Sequence, residues 1–294
     1  MRVDRLERSN AAVTDLLAAA CAFDRASAVA DEKLFGWAPG GAPSSFAARD
    51  GERLVGVAAI AGKWLRLLAV LPEARHRGAG TALLAACESA AKAAGETSLR
   101  TLDQPGNYLA PGVDERNVET IGWLERRGWR RVGEPRVNVL IDVRGNPRVS
   151  ASRAAELAAA VVVHGYEVRR ADRDDAGLLD AVRAEFGGAW PFELERALTF
   201  ERPGVHVALK DGAYCAFAAH DGNNQGLGWF GPTGTWPAHR GRGLGEALLI
   251  ACLVDVAAHH AQCEVAWIGP RPFYEKAAGL AGERRFVVLT RALA

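Results

Sequence analysis

Apolar positions alternate with polar ones over short stretches of the chain and recur at three- and four-residue spacing over longer ones, in an order that occurs twice. Residues 46–49 and 53–60 read as the arms of a hairpin around Asp50-Gly51, and 64–70 as the strand after it. In the second half, 205–209 and 214–219 flank Asp211-Gly212, and 227–235 is the strand that follows. Each third strand runs into a glycine turn and then a helix. Leu83, Leu84, Cys87 and Ala91 share one face of the first helix, and Leu248, Leu249, Cys252 and Val256 share one face of the second. Strands at 98–102 and 264–268 come next, each followed by a further helix and strand. The pattern predicts an α/β fold in each half, a mixed β-sheet flanked by helices.

The repetition extends to single residues. Residues 70–87 align without gaps with 235–252 at a constant offset of 165, so that Pro72 matches Pro237, Gly78 matches Gly243, Gly80 matches Gly245 and Cys87 matches Cys252. That offset exceeds any solenoid period and suits a whole domain. Two tandem copies are therefore predicted: residues 1–145, a linker at 146–165 that is turn-rich and then helical, and residues 166–294.

Composition narrows the class without choosing a function. The chain has 294 residues, 49% of them hydrophobic and 24% charged, which are globular values. Lys+Arg at 36 against Asp+Glu at 35 leaves a net charge of +1, so no global field draws the protein to nucleic acid or an anionic membrane. Apolar runs fall well short of the roughly 20 residues that a bilayer crossing takes, and the first residues hold no apolar signal core. The cytoplasm is the expected compartment. Cys21, Cys87, Cys215, Cys252 and Cys263 form no CxxC pair and read as reduced core residues. His259 and His260 near Cys263 lack a fourth ligand type, and no metal is expected.

The candidate chemistry lies in the two turns, Arg75-x-x-Gly78-x-Gly80 and Arg240-x-x-Gly243-x-Gly245, where a strand hands over to a helix. The first turn of a helix has unpaired N–H groups and the positive end of the macrodipole, and glycine lets a phosphate come close to them. Arg75, Arg77, Arg240 and Arg242 add charged donors. Neither turn has the third small residue of a dinucleotide fingerprint, nor the Gly-Lys-Ser/Thr of a nucleoside triphosphate loop. The turns read as diphosphate sites.

These two turns, each with its x-Pro-x-x-Arg approach, resemble the pyrophosphate signature of the GCN5-related N-acetyltransferases. The resemblance covers nearly the whole chain, and its two-copy layout is similar to that of tandem acetyltransferases such as mycothiol synthase. It implies two splayed mixed sheets with acetyl-CoA in a V-shaped gap. The coenzyme would be held by Val70, Arg75, Arg77, Gly78, Ala79, Gly80 and Thr81, or by Thr235, Arg240, Gly241, Arg242, Gly243, Leu244, Gly245 and Glu246, with its diphosphate on the glycine-turn amides and its thioester carbonyl on strand backbone near Val70 or Thr235. Phe273-Tyr274-Glu275-Lys276 is similar to the family's later helix, which implies that Tyr274 protonates the departing sulfur. Copy one has Leu124 in that slot, yet it keeps the family's Asn as Asn117, where copy two has Trp267.

Chemistry is therefore expected in copy two, as direct acetyl transfer in a ternary complex. Its proton acceptor would be His220, Asp221 or Glu264, none of which spacing singles out. The expected acceptor is a primary amine of a small molecule, served by a monomer or homodimer with no nucleic-acid or membrane partner. A non-catalytic acetyl-CoA sensor, transfer of a longer acyl group and acetylation of a thiol-sugar conjugate stay open as alternatives. Copy one also carries extra residues around 104–114, where Tyr108 and Leu109 read as packing anchors.

Overall fold

A computed structural model describes residues 1–175 and 177–293. The first copy folds as β1 (Arg2–Arg5), α1 (Ala11–Ala20), α2 (Ala30–Leu34), β2 (Ser44–Asp50), β3 (Arg53–Ala61), β4 (Trp64–Val70), α3 (Ala79–Ala93), β5 (Ser98–Thr101), β6 (Val113–Asp114), α4 (Val118–Glu125), β7 (Arg130–Arg131) and β8 (Arg136–Asp142). After α5 (Ala151–Val162), the second copy follows as β9 (Glu167–Arg170), α6 (Leu178–Glu185), α7 (Trp190–Leu198), β10 (Val205–Lys210), β11 (Ala213–His220), β12 (Trp229–Thr235), α8 (Leu244–Ala257), β13 (Gln262–Val265), α9 (Arg271–Ala278), β14 (Gly282–Val287) and β15 (Leu289–Ala292). The predicted α/β class holds in both copies.

The chain forms two compact units, Met1–Arg136 with Arg285–Ala294, and Val137–Arg284. This division differs from the expected boundary at 146–165, because each copy gives its last strand to the other unit. In the first unit the order is β1-β2-β3-β4-β5-β15-β7. Thr290 of β15 pairs there with Arg100 of β5, and Phe286 and Val287 at the end of β14 pair with β6. In the second unit the order is β9-β10-β11-β12-β13-β8-β14. Leu140 of β8 lies opposite Glu264 of β13. The segment 146–165 is turn and then helix, as expected, and it packs into the second unit. Ser150 caps α5 by accepting from the Arg153 amide, and Val149, Val161 and Tyr166 are buried in the core that α8 forms.

The second unit buries apolar side chains on both faces of its sheet. Leu244, Leu248, Leu249, Cys252, Leu253 and Val256 of α8 pack with Val139, Ile141, Phe230 and Tyr274. On the opposite face, Leu178, Val182, Leu194 and Ala197 of α6 and α7 cover Val205, Val207 and Phe217. Because almost every side of α8 is covered, it reads as a nearly continuous apolar run rather than as a stripe. In the first unit, α3 and α4 contribute Leu83, Leu84, Cys87, Ile121 and Leu124 to a core with Val55, Leu65 and Leu99. Of the cysteines, Cys21 is half-buried and the other four are buried, all as free thiols.

Candidate functional site

In each copy one strand pair begins parallel and then separates. Phe230 of β12 pairs with Val265 and accepts from the Ala266 amide, but the rest of β12 has no ladder to β13. In the first copy the parallel ladder likewise stops at Leu65, which accepts from Leu102. Two features open the strands. A bulge inserts extra residues after Phe230 and after Leu65, bending β12 and β4. Leu102 (φ 59°) and Trp267 (φ 47°) turn the other strand of each pair away through left-handed backbone. The second strand is also shorter than the predicted 264–268, ending at Val265.

Among the described residues, the strand edge facing the second gap carries amides with no ladder partner. Trp236 donates its amide to Cys215 of β11, so Gly234 shares that direction while Thr233 and Thr235 point the other way. The Arg240 Nε donates to the Thr235 carbonyl at 3.1 Å, and the Arg75 Nε makes the matching contact with Val70 at 3.4 Å. These arginines thus brace the turn against the strand, a role that the sequence reading did not give them.

Both turns end in an uncapped helix. Gly78 (φ 91°) and Gly243 (φ 82°) occupy the N-cap in left-handed backbone, and neither α3 nor α8 receives a side-chain cap. A bulkier residue would be strained there. The first intrahelical bonds run from Ala82 to Gly78 and from Ala247 to Gly243, leaving the amides of Ala79, Gly80 and Thr81, and of Leu244, Gly245 and Glu246, without helical acceptors. Arg77, Arg242 and Gly241 are exposed beside them. A Cβ on Gly245 would stand 3.6 Å from the Phe273 ring and 3.9 Å from the Thr235 hydroxyl, in the passage between the turn and the gap. In the first copy Trp123 takes the place of Phe273, 3.5 Å from a Cβ on Gly80.

Tyr274 stands at the root of the second gap. Its ring packs edge-on against Phe230, the last residue of β12 paired with β13, and against Phe273. The side chain is 5% exposed, and its hydroxyl makes no hydrogen bond among the described residues. Burial pushes its pKa up to about 12, so the phenol keeps its proton throughout the neutral range. Leu124, in the corresponding slot, is buried in the first core and has no proton to give.

The candidate proton acceptors are held in ion pairs. Glu264 accepts from Asn138 Nδ2 at 2.6 Å and from Arg284 Nη1 at 3.1 Å. Asn138 is fully buried on β8, and its Oδ1 accepts the Trp267 amide at 2.7 Å, which fixes the turn that leads to α9. His220 of β11 lies opposite Phe230 of β12, with Nδ1 2.8 Å from Asp221 and Nε2 3.5 Å from Asp255. Asp255 also meets His206 at 2.7 Å and Arg170 at 2.6 Å. Neither Glu264 nor His220 hydrogen-bonds to Tyr274.

The Asp255 cluster predicts a pH effect on stability. Burial disfavours the carboxylate, but the contacts from His206, His220 and Arg170 outweigh it and hold the carboxyl well below its ordinary range. A lowered folded-state pKa contributes stability above the unfolded value, about 4, that is lost as pH falls toward the folded one. Asp255→Asn is expected to cost about 3 kcal/mol at pH 7 by breaking a buried pair. Urea unfolding of both proteins should show this difference narrowing toward pH 3.

The two copies differ at the bulge. Arg66, in the β4 bulge and 1% exposed, donates to the Gly36 carbonyl at 2.7 Å and the Glu32 carbonyl at 3.1 Å. Asn107, in the extra loop, donates to the carbonyls of Glu32, Gly36 and Trp37. Tyr108 and Leu109 are buried, as packing anchors would be. The second copy has Gly231 and Pro232 at its bulge. Arg66 and Asn138 were not singled out from sequence, although each is a polar residue inside an apolar strand and signals a buried partner.

Among the described residues no cluster of His, Cys, Asp or Glu is arranged to hold a metal, and no helix is long and apolar enough to cross a membrane. The acetyltransferase (GNAT) family model matches residues 11–129 and 176–284. No curated protein matches the chain in sequence. Among solved structures, the GCN5-related glucosamine N-acetyltransferase region of a fungal multi-domain GH3 β-N-acetylglucosaminidase is similar, with a TM-score of 0.78 at 17% identity over 99% of this chain and 38% of that one. A tandem GNAT protein from the clavulanic acid biosynthesis pathway matches with a TM-score of 0.71 at 20% identity, over 100% of this chain and 98% of the other. A GCN5-related N-acetyltransferase from Sphaerobacter thermophilus gives 0.60 at 16%, over 85% and 80%. At these identities the structures speak for the fold, whereas the family model covers each copy in turn, and the chain belongs to the acetyltransferase (GNAT) family as a tandem member.

Proposed function

We propose that the second copy is the working half, transferring an acetyl group from acetyl-CoA to a primary amine of a small molecule. The observation that carries this reading is the unpartnered Tyr274 hydroxyl at the root of a gap whose other end is the uncapped α8. The free amides of Leu244, Gly245 and Glu246, with Arg242, would hold the diphosphate. The strand amides of Thr233 and Thr235 would position the thioester and stabilise charge on its carbonyl oxygen.

Acetyl-CoA supplies the activated acetyl group. The amine enters as its free base, a C–N bond forms and the C–S bond breaks. Tyr274 donates a hydrogen bond to the sulfur as negative charge develops there, and the proton released by the nitrogen balances the one that the sulfur finally takes. Glu264 is paired with Arg284 and His220 is hydrogen-bonded to Asp221, and the proton acceptor is assigned to neither. In the first copy the missing tyrosine and the Arg66–Asn107 filling leave a structural or coenzyme-binding half.

Release of CoA thiol from acetyl-CoA, followed with a panel of small amines, amino sugars and aminoacylated thiols, tests the proposal. Turnover that depends on an amine supports it. Binding without turnover under every acceptor overturns it.

A further inference from the structure

The first turn of α8 contains a carboxylate. Glu246 is its third residue, and a helical side chain leans toward the N-terminus, so this negative charge lies beside the amides proposed to hold the diphosphate. Left alone it would repel the ligand. The structure answers with Arg153 from α5, whose Nη2 donates to Glu246 Oε1 at 3.0 Å and whose Nη1 is 3.6 Å from Glu156. Arg153 is 42% exposed and Glu246 29%, so the pair is open to the solvent from which a ligand would come. α5 also passes close to the turn itself, since Val161 would lie 3.7 Å from a Cβ on Gly243.

The matching position in the first copy is Thr81, which is neutral, and a guanidinium reaches it too: Arg127 donates to its hydroxyl at 3.1 Å. The two arginines come from unrelated places, one after α4 and one from the segment between the copies. Only the second has a charge to cancel.

We infer that Arg153 is a positioning residue of the second coenzyme site, acting through Glu246 to keep the α8 N-terminus attractive to a diphosphate. The inference rests on the proposal that this turn binds acetyl-CoA. It makes the segment between the copies part of the binding machinery.

Calorimetry with acetyl-CoA on the full chain tests it, using Arg153→Met, Glu246→Gln, the double variant and Gly245→Trp, each in a Gly80→Trp background that closes the first turn. Arg153→Met should raise Kd roughly tenfold at low salt, and the double variant should return within about twofold of wild type. Glu246→Gln alone should bind at least as tightly as wild type. Thermal melting without ligand supplies the contrast, since a merely structural arginine would lower the midpoint in both Arg153 variants with no recovery of affinity. Unchanged affinity in Arg153→Met, or a double variant as weak as Arg153→Met, overturns the inference while Gly245→Trp still abolishes binding. Binding that survives Gly245→Trp in the Gly80→Trp background removes the site reading itself, and the inference with it.

Discussion

Tyr274→Phe is expected to lower kcat between about a hundredfold and ten-thousandfold, the range over which a positioned proton donor contributes, while leaving acetyl-CoA affinity nearly unchanged. The substitution removes one oxygen from a side chain whose ring is packed against Phe230 and Phe273, so the core keeps its shape. No internal hydrogen bond is lost, because the hydroxyl has none among the described residues. Stability should therefore stay within about 1 kcal/mol of wild type. The raised pKa adds a second readout: with a phenol held to about 12, the wild-type kcat profile should show no decline from Tyr274 ionisation below about pH 10. Stopped-flow release of CoA thiol across pH measures both effects.

Gly245→Trp is expected to abolish measurable acetyl-CoA binding at the second copy, a loss there of at least about a hundredfold. The first atom of any side chain at this position enters the passage bounded by Phe273 and Thr235, and an indole would fill it. It would also stand over the free amides of the first turn, where helix dipole and N–H groups must reach the phosphates. Far-UV circular dichroism and a melting curve separate this from unfolding, and Arg242→Glu offers a milder variant that reverses one exposed charge without touching the core. In a Gly80→Trp background, calorimetry should show weakened binding for Arg242→Glu and none for Gly245→Trp.

Much of the site was legible because its parts are local. The strands at 64–70 and 229–235, the helices behind Gly78 and Gly243, and the Tyr274–Leu124 contrast all depend on residues close in sequence. Turn chemistry and helical periodicity act over that range. The strand exchange was not legible. The alternation in Arg136–Asp142 says that one face is buried, but not which sheet edge receives it, and only the register of Cys263 with Ile141 settles that. The same limit explains the ion pairs. Glu264 reads as a possible base because its partner Arg284 lies on another element, and of the two carboxylates beside His220 only Asp221 is near in sequence, Asp255 lying on α8. Position in sequence carries no information about such distant neighbours, whereas a lone polar residue in an apolar strand, as Asn138 and Arg66 show, does announce that one exists.

The assignment of chemistry to the second copy is tested most directly by amine-dependent CoA release from three full-length proteins measured together: wild type, Gly80→Trp and Gly245→Trp. Turnover in wild type and Gly80→Trp with none in Gly245→Trp is the predicted result. Turnover that survives Gly245→Trp and disappears in Gly80→Trp would place the reaction in the first copy and contradict the assignment.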